Sequence, residues 1–358
     1  VTMTAVVPRD SHYMQLPREV LIGNNVAPLV GETLTRLGFH GPVLMVTGEN
    51  VLSIAGDTIL ESLKFRSFKT ETMTVKSSTT EEVAKVENKI REMKPDVVVG
   101  VGGGKDIDVA KLSSMKADTR FLSVPTAASH DGIASPLVSM KGMDRPYSYV
   151  AHSPIAIVAD TAIIAKSPYP LIASGCGDVV AKYTAVRDWK LAHRIKNEYY
   201  GDYAAELALM SSRLVIKNAS SIRAMFDSGV RTLVEALISC GVAMSIAGSS
   251  RPCSGAEHLF SHSLTMIAPK PALHGVQCGV GTIMCAYLHG ANWQLIKDFL
   301  HKIDAPTTAK ELQIEPEYIL KALTMAHTIR PERYTILGES GLTQDAARKV
   351  ATITGVIE

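Results

Sequence analysis

Four side chains in the second half of the chain are of the kinds that hold a catalytic divalent ion. Residues 175–178 read GCGD, which puts the Asp178 carboxylate just after a glycine turn, at the expected start of a helix. Residues 257–262 read EHLFSH, so His258 and His262 stand at i and i+4 on one helix face. Residues 272–275 read ALHG and place His274 after Pro269 and Pro271, at the start of the next helix. One carboxylate and imidazoles delivered from separate helices can make an Asp/His/His site with open positions, suited to Lewis-acid chemistry. Each residue also has an ordinary explanation: Asp178 as a helix N-cap, the histidines as packed or solvated side chains. HxxxH without a glutamate in the zincin position is a moderate metal signal by itself.

A second kind of chemistry is written in residues 97–112, VVVGVGGGKDIDVAKL. A β-branched run breaks into Gly100, Gly102, Gly103 and Gly104, and a helix-compatible stretch follows. Such a junction offers bare backbone N–H groups and a helix N-terminus to a phosphate. The segment is not a Walker A loop, because Val99 and Asp106 stand where Gly and Ser/Thr are required. Nor is it G-x-G-x-x-G, since Lys105 follows Gly100 and Gly102 at the third glycine position. Lys105 either meets a cofactor phosphate or snorkels from the helix start. Glu49, in VTGEN at 46–50, sits where a Rossmann-like fold reads the adenosine ribose; it favours NAD, or is a solvated loop acid.

These residues need a scaffold. Strands are expected at 19–23, 42–47, 71–75, 97–101 and 121–124, with helices at 27–37, 80–93 and 105–116 between them. Strands separated by helices of this length mean βαβ units and a mostly parallel sheet. The polar run TAASHDGIASP follows Pro125 at the carboxyl end of a strand, where open α/β sheets bind ligands. Beyond 167–170 the periodicity is helical: 177–193, 200–226, 230–249, 257–267, 275–288, 316–327 and 343–357. The fold class is therefore α/β followed by all-α: a Rossmann-like dinucleotide-binding domain over 1–167, then a helical metal- and substrate-binding domain over 168–358.

Composition narrows the function. With 358 residues and net charge +2, the chain has room for two domains and no clustered basic face for nucleic acid. The five cysteines, Cys176, Cys240, Cys253, Cys278 and Cys285, are odd in number and lack C-x-x-C spacing, which reads as reduced, buried thiols of a cytoplasmic protein. Cys176 and Cys278 lie near the proposed ligands; they read as small buried thiols, with thiolate ligation the alternative. The N-terminus shows no signal peptide. Residues 234–248 are apolar but contain Glu235 and fall short of a membrane span, so a buried helix is expected there.

The segments GGGKDIDVAK, VPTAASHDGIASP, SGCGDVVAKYTA and SGAEHLFSHSL…ALHGVQCG occur in that order. On them the chain resembles, over nearly its whole length, the glycerol-1-phosphate dehydrogenases, archaeal-type members of the iron-containing alcohol dehydrogenase and dehydroquinate synthase superfamily. The resemblance implies a dehydroquinate synthase-like fold and a zinc ion held by Asp178, His258 and His274. It implies substrate contacts from Asp131 and His262, with Asp178 also near the substrate. Asp131 would orient a substrate hydroxyl, and His262 would contact the substrate or relay a proton. NAD or NADP would lie against Gly102, Gly103, Gly104, Lys105, Asp106, Ile107 and Asp108, with Thr126, Ala127, Ala128, Ser129 and Ser135 along its path. The implied reaction is reversible reduction of dihydroxyacetone phosphate to sn-glycerol 1-phosphate, for the backbone of archaeal ether lipids. The implied enzyme is cytoplasmic and homo-oligomeric, without membrane insertion. The alternatives are a glycerol dehydrogenase of the same superfamily and a non-catalytic nucleotide-binding relative. Dehydroquinate synthase fits less well, since its relatives carry Glu where this chain has Asp178.

Overall fold

The computed structural model describes residues 14–140 and 149–358. In chain order the strands are β1 (Glu19–Gly23), β2 (Val43–Thr47), β3 (Thr70–Thr74), β4 (Val97–Gly102), β5 (Arg120–Pro125), the two-residue pair β6 (Leu137–Val138) and β7 (Tyr149–Val150), and β8 (Ala156–Asp160). Six of them form one parallel sheet in the order β1-β8-β5-β4-β2-β3, while β6 and β7 pair antiparallel to each other. Strands β2, β4 and β8 are buried along their whole length, as a parallel sheet covered on both faces requires.

Helices α1 (Val30–Arg36) and α2 (Asp57–Phe65) cover one face, over Val43, Met45, Val97, Val99 and Val101. Helices α3 (Thr80–Met93) and α4 (Gly104–Lys116) cover the other, over Leu44, Val46, Val98 and Phe121. The chain therefore leaves neighbouring strands β2 and β4 toward opposite faces. Their carboxyl ends, in register at Thr47 and Val101, form a topological switch point, the usual ligand crevice of such sheets.

From Tyr169 onward the described chain is helical: α5 (Tyr169–Val180), α6 (Lys182–Lys196), α7 (Asp202–Lys217), α8 (Asp227–Ala247), α9 (Ala256–Ile267), α10 (His274–Leu288), α11 (Trp293–Lys302), α12 (Pro316–Met325) and α13 (Gln344–Ile353), with short turns between. The helical core draws in Ile157 and Ala159 of β8, and Ile133 and Ala134 after β5. Helix α8 contains the apolar run expected to be a buried helix; its most apolar window is 72% buried within the protein. All five cysteines are free and buried.

Several elements differ from the sequence expectation. The run 177–193 is broken at Ala181 into α5 and α6, and Asp178 lies near the C-terminal end of α5 rather than at a helix start. Gly175 and Gly177 suggested a turn, but they are helical residues, with Gly177 set against α10. A Cβ on Gly177 would lie 2.2 Å from the Gly275 carbonyl oxygen, so glycine there permits close helix packing. Asp178 is consequently no N-cap. Strand β8 and helix α11 were not anticipated. AIVAD is a short apolar run like those of β1 and β2, and α11 begins at a favoured N-cap, Asn292, whose Oδ1 accepts from Leu295 N at 3.0 Å, so both carried signals that went unread.

Candidate active site

The site lies where α5, α9 and α10 meet the loop after β5. Close packing of α5 on α10 sets Asp178 opposite His274, and α9 brings in His258. Asp178, His258, His274 and Cys278 each offer one ligand atom, and those four atoms all lie within 4.8 Å of one another. His258 Nε2 is 3.3 Å from Asp178 Oδ1. Cys278, one turn after His274 on α10, has its Sγ 3.5 Å from His274 Nε2. His262 is outside this group; its ring lies 5.3 Å from that of His274, one helical turn on from His258.

A second layer fixes these side chains. Glu257, fully buried, takes His258 Nδ1 at 2.8 Å, and is itself held by the Gly255 N–H at 2.6 Å and the Thr184 hydroxyl at 2.7 Å. A carboxylate on Nδ1 leaves Nε2 facing the site, the arrangement that orients metal-binding imidazoles. Burial works to raise the Glu257 carboxyl, but His258, Thr184 and the Gly255 amide together hold it below its ordinary value. Ser261 Oγ lies 3.0 Å from His274 Nδ1 and orients that ring in the same manner.

Lys182 was not singled out from the sequence, although it stands at i+4 from Asp178. Its ammonium, fully buried, lies 2.8 Å from Asp131 Oδ2 and 3.1 Å from Asp178 Oδ1. Burial disfavours each ion, yet Lys182 and His258 hold the Asp178 carboxyl well below its usual range, and Asp131 and Asp178 hold Lys182 well above its own. The Asp131 N–H also donates to Asp178 Oδ2 at 2.9 Å. Asp131 is thus fixed beside the ligand group. Burial first, then the charges of His274, His258, Arg330 and Arg333, push the His262 imidazole well below its ordinary value, so it is neutral.

The same cavity, of about 600 Å³, runs from Asp178, His258, His262 and His274 past Asp131 and Ser135 to Asp108. At the glycine turn, Gly102 has φ +149°, a conformation other residues rarely adopt. A Cβ on Gly103 would meet nothing within 4 Å, so the turn presents open space to a ligand. The Asp106 carboxylate closes the turn by accepting from the Gly103 N–H at 3.2 Å. Thr47 Oγ1 and Asp108 Oδ1 are buried in this part of the fold without a hydrogen-bond partner. An open turn at a helix N-terminus fits the phosphates of a dinucleotide, and a buried acceptor such as Asp108 Oδ1 fits one of its hydroxyl or amide donors. The donor set of one carboxylate, two imidazoles and a thiol likewise fits a divalent metal.

The other expected cofactor residues are distributed unevenly. Thr126 N donates to Gly102 O at 2.9 Å, and Ser129 O accepts from Ser174 Oγ at 3.0 Å; Ala127 and Ala128 are buried beside them. The Ile107 side chain is in the core behind α4. Lys105 Nζ is engaged by the Val75 carbonyl at 3.0 Å and Asp106 Oδ1 at 3.1 Å. Glu49 is exposed after β2, 3.9 Å from Lys76 Nζ. His130, also not singled out, accepts from the Gly132 N–H at 3.0 Å and packs against Gly104, joining the glycine turn to Asp131.

The sequence and the fold are both similar to those of known proteins. Residues 21–168 match the family described as iron-containing alcohol dehydrogenase. The chain is 53% identical to a glycerol-1-phosphate dehydrogenase [NAD(P)+] of Methanothermobacter thermautotrophicus, over 97% of this chain and 100% of that one. It is 55% identical to the protein of the same name from Pyrococcus furiosus, again over 97% and 100%. Among solved structures, glycerol dehydrogenase from Schizosaccharomyces pombe superposes with TM-score 0.79 at 19% identity, covering 96% of this chain and 92% of that one. At that identity the likeness shows the fold.

Proposed function

The chain belongs to the glycerol-1-phosphate dehydrogenase family, and on that premise we propose that Asp178, His258 and His274 hold one zinc ion at which dihydroxyacetone phosphate and sn-glycerol 1-phosphate are interconverted. The protein is an NAD(P)-dependent oxidoreductase forming glycerol 1-phosphate. The polyol dehydrogenase reading is not favoured, because the likeness to glycerol dehydrogenase is one of fold. When bound, the divalent ion supplies Lewis acidity to the substrate oxygen and the reduced nicotinamide supplies the hydride.

The remaining work falls to side chains. Asp131, pinned by Lys182, orients a substrate hydroxyl from the cavity wall. His262, neutral beside the ligands, relays the proton that the C2 oxygen gains on reduction. The turn Gly102–Gly103–Gly104, with Lys105, Asp106 and Asp108, carries the dinucleotide, whose path runs along Thr126 to Ser129 and Ser135. Residues 1–167 then bind the cofactor, and 168–358 bind metal and substrate. We also place the enzyme in the cytoplasm as a homo-oligomer, making the glycerophosphate backbone of ether lipids.

The observation that carries this reading is the meeting of Asp178, His258 and His274 in one cavity that extends to Asp108, on the helix that starts at the glycine turn. The test is nicotinamide absorbance with purified protein, offering sn-glycerol 1-phosphate, its 3-phosphate enantiomer or free glycerol, with and without chelator. Chelator-sensitive turnover of the 1-phosphate is expected. Equal turnover of free glycerol, or full activity of metal-free protein, would overturn the reading.

A further inference from the structure

The turn 250–254, between α8 and α9, forms one wall of the active-site cavity, through Ser250, Cys253 and Ser254. Behind it lies Arg333, whose Nη2 donates to Ser250 Oγ at 2.7 Å and whose Nη1 donates to the Ser254 carbonyl at 2.6 Å. Arg330 Nη1 donates to the same Ser250 hydroxyl at 3.4 Å. Arg251, within the turn, is ion-paired with Glu198. A second cavity of about 370 Å³, lined by Arg330 and Arg333, shares Leu137, Met244 and Ser250 with the first.

These hydrogen bonds tie Arg333 to neutral oxygens. Burial first, then the charges of Arg330 and Arg251, push its guanidinium down to about 9, and the carboxylates of Glu198 and Glu332 offset this only in part. A desolvated cation beside like charges is costly unless an anion completes the arrangement. Guanidinium forks match phosphate oxygens in charge and geometry. Ser250 Oγ, already accepting from both arginines, still has its own hydrogen to donate. Position agrees with chemistry: Ser250, which holds both guanidinium groups, lines the same cavity as Asp178, His258, His262 and His274.

We propose that Arg333, with Arg330 and the Ser250 hydroxyl, receives the phosphoryl group of the three-carbon substrate while its C2 oxygen lies at Asp178, His258 and His274. This rests on the dehydrogenase reading above. It accounts for selection of a phosphorylated polyol by a fold that other proteins use for unphosphorylated alcohols.

The test compares Arg333→Met, Arg333→Lys and Arg330→Met with the parent as metal-loaded enzyme, measuring kcat and KM on sn-glycerol 1-phosphate and on free glycerol. Loss of a charge-assisted bond predicts that kcat/KM for the phosphate ester, relative to that for glycerol, falls by about 10–100-fold in both Met variants, with partial recovery in Arg333→Lys. The loss should lie in KM. An unchanged ratio in folded variants would overturn the proposal. If Arg333→Met does not fold, Arg330→Met carries the comparison. Calorimetric titration with inorganic phosphate is read alongside: parent protein should bind it and Arg330→Met should bind it at least several-fold more weakly. Equal phosphate binding by both would overturn the anion site. Phosphate binding lost in the variant, with a parent inactive on sn-glycerol 1-phosphate, would uphold the anion site and sink the dehydrogenase reading alone.

Discussion

At the scale of single residues, the ligand group owes its geometry to partners that do not themselves face the substrate. Glu257 is the clearest case, because its carboxylate fixes the proton on His258 Nδ1. Glu257→Gln keeps the volume but weakens that bond and places an amide where an acceptor is required. Metal affinity, read by chelator competition, is expected to fall about 10–100-fold while the fold persists. Unchanged affinity would make Glu257 a helix-start residue only, serving the Gly255 N–H. Lys182 acts differently. Its ammonium lies between the carboxylates of Asp131 and Asp178 and helps hold the buried Asp178 carboxyl well below its usual range.

At the scale of elements, the site depends on how near α5 comes to α10. Gly177→Ala adds a methyl 2.2 Å from the Gly275 carbonyl, where backbone must move. The expected cost is about 1–3 kcal/mol of stability, despite the better helix propensity of alanine, together with weaker metal binding. Gly103→Ala is the contrasting variant, since nothing lies within 4 Å of the added carbon. Its melting temperature should stay near the parent's while the KM for the nicotinamide cofactor rises; an unchanged KM would remove the turn from the cofactor's path. These two glycines also mark what sequence reasoning can see. Gly103 sits where a strand hands over to a helix, and that change of period is legible in VVVGVGGGKDIDVAK. Gly177 sits inside a helix, where a glycine meant for close packing is spelled like one meant for a turn, and Asp178 was misplaced with it. Spacing pointed to His258 and His262, of which His262 lies outside the group of potential ligand atoms, and His274 stood out only through the family-specific segments. Lys182 was not, because its partner Asp131 is distant in sequence, and lysine at i+4 from an aspartate ordinarily marks a solvated helix face.

Across the whole molecule, the side chains proposed to hold the metal come from three helices, α5, α9 and α10, which packing and a few side-chain hydrogen bonds already join. A metal bound by the native arrangement alone stabilises the protein by mass action, about 2.7 kcal/mol when free metal is 100 times its dissociation constant. Dialysis against chelator should therefore lower the melting temperature as well as abolish turnover, and re-addition of zinc should restore both. A melting temperature indifferent to chelator would mean that Asp178, His258 and His274 do not hold an ion in the folded protein. Strand β8 bears on a different matter. Its backbone belongs to the sheet, paired with β1 and β5, whereas Ile157 and Ala159 are packed among the helices. A recombinant joining halves of two relatives after Asp160 would set one parent's Ile157 and Ala159 against the other's helices. A crossover before Ala156 would pair strands of different ancestry instead. Neither seam is silent, so the nucleotide half and the helical half are constrained to diverge in concert, as one heritable unit.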